Sequence, residues 1–192
     1  MARYLIDANL PRRFALWAGG VHVMPQRSAG ILLYRRRARS GIEVLLVHPG
    51  GPFWARKDEG AWSLPKGTYE PGEDPLAAAR REFAEETGAQ AEGELIALGA
   101  FRQSSAKIVD VWAIEGEFDP ATLSSNTFPM EWPPKSGKMR EVPEVDRAEW
   151  FTPEAAARKI LKGQRPVIDA LLRHLGLAPI GQGSERFGQK SR

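Results

Sequence analysis

Apolar and polar positions divide this chain into strand-like and helix-like stretches. Residues 29–34 and 44–47 are continuous apolar runs, the pattern of strands covered on both faces. Residues 95–102 and 108–114 form a second pair around a polar turn. In the later run Val109, Val111 and Ala113 face one way and Asp110, Trp112 and Ile114 the other. Helical periodicity appears in two places. Leu76, Ala79, Phe83 and Thr87 share one side of a segment over 75–87, and Val167, Ile168, Leu171, Leu172 and Leu175 form a stripe over 166–175. Strands around a central and a terminal helix predict an α/β fold, a mixed sheet between helices.

The ends of the first helix are written in the sequence. Asp74 suits the N-cap, Pro75 the first helical position, and Gly88 the left-handed closing residue. On another side, Glu82, Glu85 and Glu86 fall within an arc of about 100°. Three carboxylates so placed repel one another unless a cation joins them, and hard oxygen donors suit Mg²⁺ or Mn²⁺. Gly67 and Gly72 allow the preceding loop to bend back over this face, and Glu73 can then reach Arg81. Taken alone, a run such as RREFAEE is most often a solvated helix face with stabilising charge pairs.

The pattern as a whole decides between these readings. Gly67, Glu73, Arg81, Glu82, Phe83, Glu85, Glu86, Gly88 and Ala89 stand at the spacings of G-x5-E-x7-R-E-U-x-E-E-x-G-U, with U apolar. This stretch resembles the Nudix box. Seven fixed positions would coincide by chance about once in 10⁸ starting points. The lead-in WSLPKG, residues 62–67, resembles the segment before the box in Nudix enzymes, and residues 145–161 resemble their last strand and following helix.

The resemblance implies a Nudix-type α/β/α sandwich with a mixed β-sheet over 27–176, hydrolysing a diphosphate linkage in a nucleoside diphosphate derivative. The expected substrates are dinucleoside polyphosphates or nucleoside triphosphates. Glu82, Glu85 and Glu86 would hold Mg²⁺ or Mn²⁺ with the Gly67 carbonyl. Glu82 would also orient or deprotonate water, Arg81 and Glu73 would brace the loop, and Glu144 would assist from a late loop. Lys66 and Lys107 are the expected phosphate contacts. The alternative is a non-catalytic nucleotide-sensing module on the same fold, for which the intact box carboxylates are an argument against.

Composition narrows the partners. With no cysteine, disulfides, thiolate zinc sites and cysteine nucleophiles are excluded, and His22, His48 and His174 are too scattered for a metal cluster. The net charge is +3; residues 67–89 carry 2 basic and 6 acidic residues, a net of −4, which leaves +7 elsewhere. An acidic island in a basic body suits a phosphate-bearing small molecule, while the lack of a long basic run argues against nucleic acid. No run approaches a membrane span, so a soluble cytoplasmic protein is expected. The oligomeric state is not written in the sequence.

The remaining stretches carry weaker expectations. Residues 1–26 read as an N-terminal extension whose opening, MARYLIDANLPRRFALW, resembles small PIN-like domains, with Asp7 as the early aspartate. No further acidic cluster follows, and nuclease activity is not inferred. Arg35, Arg36, Arg37 and Arg39 are expected in a solvated turn. In the loop 49–60, Trp54 and Arg56 are candidates to stack on a nucleobase and hold phosphate, and packing of Trp54 on the domain is as good a reading. Residues 119–145 read as a long connection, either a substrate-selecting loop or a packed decoration. Residues 177–192 are expected to be a disordered tail.

Overall fold

A computed structural model describes residues 25–181 except Ser40 and Ser105. The expectations for residues 1–24, including Asp7, lie outside the described residues. The long apolar runs become β1 (Gln26–Arg37) and β2 (Gly41–Pro49), buried along most of their length as continuous apolar runs require. They are followed by β3 (Lys66–Thr68), helix α1 (Pro75–Thr87), β4 (Ile96–Ser104) and β5 (Lys107–Glu115). A hairpin of β6 (Thr127–Glu131) and β7 (Met139–Pro143) comes next, then β8 (Val145–Phe151), α2 (Pro153–Lys159) and α3 (Arg165–His174).

The main sheet runs β4-β5-β1-β2-β8, mixed because β1 and β5 are parallel while the other neighbours are antiparallel. One edge of β1 is shared between two partners: Ser28–Gly30 pair with β3 and Tyr34–Arg37 with β2. The segment leading into β3 therefore threads between β1 and β2. The Ile31 amide donates to the Pro65 carbonyl, and Val47 and Ser63 exchange backbone bonds. This wedge carries Lys66 and Gly67 into the middle of the sheet.

Two apolar cores lie on opposite faces. Ala29, Ile31 and Leu33 of β1 pack with Ala78, Ala79 and Phe83 of α1. Leu32 and Tyr34 pack on the other face with Trp62, Leu64, Ala156 and Ile160 and with Val167, Ile168 and Leu171 of α3. The result is the α/β/α sandwich expected from the sequence. Asp74 accepts from the Leu76 and Ala77 amides, Gly88 closes α1 at φ 78°, and the Thr152 side chain caps α2.

Three expectations need correction. Arg35, Arg36 and Arg37 belong to β1 rather than to a solvated turn, and they pair with Glu43, Glu115 and Glu117; Arg35 also stacks 4.1 Å from the Trp150 ring centroid. Residues 119–145 are not an irregular connection, since most of them form the β6–β7 hairpin. Residues 177–181 fold back on α3: Leu177 donates to the Leu172 carbonyl, and the Ile180 amide donates to Asp169 while its side chain packs on the core.

Candidate active site

Helix α1 turns its two faces to different tasks. Phe83, 1% exposed, anchors it on the sheet, and an adjoining side presents Glu82, Glu85 and Glu86 beside β3. The Gly67 backbone pairs with Ala29, and a Cβ at that position would overlap the Glu82 carboxylate. Only glycine lets the strand and the carboxylate approach this closely. One residue back, the Lys66 amide donates to Glu86 Oε2 at 3.2 Å.

Arg81 is the centre of the brace. Its guanidinium donates to Glu82 at 2.6 Å, to Glu85 and Glu73 at 3.3 Å each, and to the Thr68 carbonyl. Glu73 in turn accepts from the Glu70 amide, closing the turn before the helix. Loop, strand and helix are thus tied by one side chain, as the spacing of Glu73 and Arg81 predicts.

Glu144 joins from the far side of the chain through a backbone path the sequence does not reveal. Its amide donates to the Asn126 carbonyl at 2.8 Å, and the Asn126 amide donates to the Glu85 carbonyl at 3.0 Å. The Gly50 amide donates to the Glu144 carbonyl, and Ser125 Oγ accepts from the Val145 amide. Asn126 and Ser125 were not singled out in the sequence. The available signal was a short polar cluster just before the alternating TFPME stretch.

Electrostatics agree with the clustering. Burial pushes the Glu86 carboxyl up to about 8, and Glu82 and Glu144 push in the same direction while Lys66 opposes them. Glu82 is raised by burial first, against the pull of Arg81. Burial and then Glu85 raise Glu144. Carboxylates crowded out of water favour a proton or a cation.

Hard carboxylate oxygens beside a glycine that leaves room for them are a donor set that fits Mg²⁺ or Mn²⁺. Among the described residues no three acidic or histidine side chains converge as a ready metal cage. The reason is visible: Glu82 and Glu85 turn to Arg81, and Glu86 turns to the Lys66 amide.

The other candidate residues are spread more widely. Lys107 begins β5 opposite Gln26, four register positions from the Gly30–Val111 pair beside Lys66, or about 13 Å along the strand. Trp54 packs on the core beneath the 50–60 loop with Lys57 Nζ 4.3 Å over its ring. Arg56 is exposed on the same loop. His48 is fully buried, bridging Asp146 at 2.7 Å and the Lys57 carbonyl at 2.8 Å, and so ties that loop to β8.

Proton binding at this site should be visible in stability. With its carboxyl near 8 in the fold and in the ordinary range when unfolded, Glu86 holds a proton that the unfolded chain has released. Its stabilising contribution is complete below about pH 4.5 and is lost as pH rises through about 8. We expect the melting temperature without metal to fall across that window, and Glu86→Gln to flatten the fall. Melts in chelator at several pH values check this; an unchanged slope in the variant would contradict it.

The class this geometry defines is an α/β/α sandwich with an acidic helix face clamped against a sheet glycine. Comparison with known proteins makes the assignment specific. The NUDIX domain family matches residues 24–171, and the chain belongs to that family.

Among solved structures, the Ap4A hydrolase of C. elegans covers 79% of this chain and 98% of its own, at 24% identity and TM-score 0.50. A NUDIX hydrolase from Alicyclobacillus acidocaldarius covers 83% and 95%, at 17% identity and TM-score 0.54. The NUDIX domain of Shewanella oneidensis NrtR, solved with ADP ribose, aligns at 14% identity and TM-score 0.53 over 79% of this chain and 88% of that one. These likenesses are of fold.

Among curated relatives, the RNA pyrophosphohydrolase of Caulobacter vibrioides is 46% identical over 55 residues, 26% of this chain and 32% of that protein. The asymmetrical bis(5'-nucleosyl)-tetraphosphatase of Sus scrofa is 36% identical over 85 residues, 42% and 53% respectively. The matches thus span about a third to a half of these relatives' lengths. No helix among the described residues is long and apolar enough to cross a membrane.

Proposed function

We propose that the protein hydrolyses a diphosphate linkage in a nucleoside polyphosphate with Mg²⁺ or Mn²⁺ bound at α1. The observation that carries this reading is geometric: Glu82, Glu85 and Glu86 stand together beside the Gly67 backbone, held by Arg81 and the Lys66 amide. Such a site is short of positive charge. Glu82, Glu85, Glu86 and the Gly67 carbonyl would hold the cation, which when bound supplies positive charge against the negative charge developing at phosphorus.

The chain's own groups do the rest. Arg81 keeps Glu82 and Glu85 within reach and holds the loop through Glu73. Lys66, at the end of the wedge between β1 and β2, meets the phosphate, with Lys107 and Arg56 farther along a long substrate. Glu144 or Glu82 accepts the proton of the attacking water. Water-soluble nucleotide substrates make the cytoplasm the expected compartment.

A panel of nucleoside triphosphates, dinucleoside polyphosphates and nucleotide sugars tests this, with products resolved as phosphate, pyrophosphate or monophosphate. Hydrolysis of at least one class, abolished by chelator and restored by Mg²⁺ or Mn²⁺, is expected. Binding without turnover across the panel would make the protein a nucleotide-sensing module instead.

A further inference from the structure

The β6–β7 hairpin separates its charges by face. Register places Thr127 opposite Pro143, Phe128 opposite Val142, Met130 opposite Arg140 and Glu131 opposite Met139, and the Trp132 amide donates to the Lys138 carbonyl. Since side chains alternate along a strand, Phe128, Met130, Trp132, Lys138, Arg140 and Val142 share one face. Both strand acids, Glu131 and Glu141, lie on the other. An alternation that puts the cations with the aromatics and the acids away from them gives one face affinity for an anion.

That face turns to the 50–60 loop. Gly51 abuts Val142 and Met130, and Phe53 meets Trp132 edge to face, with ring centroids 5.0 Å apart and planes at 86°. Perpendicular rings form a notch in which a flat heterocycle can lie on one ring and abut the edge of the other. Phe53 is 38% exposed and Trp132 is partly exposed.

The notch is joined to the acidic site at both ends. Gly50, three residues before Phe53, donates to the Glu144 carbonyl, so the Phe53 backbone lies within about 14 Å of Glu144. At the hairpin's root Asn126 bonds both Glu144 and the Glu85 carbonyl. A ligand whose phosphates meet α1 can therefore extend along Arg140 and Lys138 to a ring at the tip.

The geometry points to the Phe53–Trp132 notch as the nucleobase-binding site, with Lys138 and Arg140 meeting the polyphosphate chain on the way. It rests on the nucleoside polyphosphate reading above and adds the specificity-determining residues. The flat ring accounts for the aromatic pair and the anionic linker for the segregated cations; an apolar protein partner would leave those cations unexplained.

Equilibrium binding separates this from the hydrolysis itself. The full chain with Mg²⁺ is titrated with a non-hydrolysable ATP analogue and, separately, with inorganic tripolyphosphate, using the wild type, Trp132→Ala, Trp132→Phe and Phe53→Ala. Loss of one base-stacking contact should weaken the nucleotide about tenfold or more. The expected result is a much larger loss for the nucleotide than for tripolyphosphate in both alanine variants, largely restored in Trp132→Phe. Equal losses for both ligands, or none, overturn the proposal, as does a concentration-dependent self-association abolished by Trp132→Ala with affinity unchanged. Turnover does not enter these measurements. Failure of the hydrolysis reading therefore appears as binding without cleavage, and failure of the notch as cleavage without the base-dependent difference.

Discussion

Replacing Glu86 by Gln is expected to lower turnover by roughly 10²- to 10³-fold or more while leaving the fold intact. The two consequences come from the same burial. Glutamine keeps the size of the side chain and its carbonyl can still accept from the Lys66 amide, but it offers no charge to a cation. The wild-type carboxyl, by contrast, is held in surroundings that resist its ionisation. The variant should therefore melt at or above the wild-type temperature in chelator at pH 8 to 9, and should lose most of the stabilisation that Mg²⁺ gives the wild type. Steady-state kinetics on whichever substrate the panel identifies, with melts with and without metal, read both effects. Near-normal turnover would remove Glu86 from the metal site.

The second large effect is expected in stability rather than chemistry. Phe83 is fully buried against the sheet beside Ala29, Ile31 and Leu33. Truncation to Ala removes a ring from a close-packed layer and should cost about 3–5 kcal/mol, lowering the melting temperature by roughly 10 °C or more. Because Glu82, next to Phe83 in the chain, lies against Gly67 and Arg81, and Glu86 on the same helix accepts from the Lys66 amide, a helix that settles into the vacated space also moves Glu82 and Glu86. The loss of activity should then exceed what the unfolded fraction explains at a temperature where the variant is still folded. Phe83→Leu, which refills much of the volume, should recover most of both. A change in melting temperature under about 2 °C in Phe83→Ala would mean that this residue does not anchor the helix.

Legibility followed the range of the interactions. The limits of α1, its caps and the Glu73–Arg81 brace were readable because they depend on residues within about fifteen positions of one another. The apolar runs of β1 and β2 were readable because burial on both faces leaves no polar alternation to confuse them. The hairpin was hidden by Pro129, Pro133 and Pro134, residues that ordinarily argue against a strand. An isolated two-stranded arm tolerates them because much of its backbone needs no ladder partner. The ion pairs of the β1 arginines were hidden because the partners Glu115 and Glu117 lie about 80 residues away. Trp54 was a fair candidate on chemistry alone, yet only packing shows Lys57 over its ring.

By itself the sequence determined the family and the acidic helix face, since these follow from the identities and spacing of residues 67–89. Tertiary structure alone decided what stands around that helix. It brought Glu144 to Glu85 through Asn126, threaded Lys66 and Gly67 between β1 and β2, and set Trp132 against Phe53. The physical reason is that a helix face is fixed by a local period of 3.6 residues. Pairing between segments 60 to 80 residues apart is fixed only when all the strands compete for the same edges of β1.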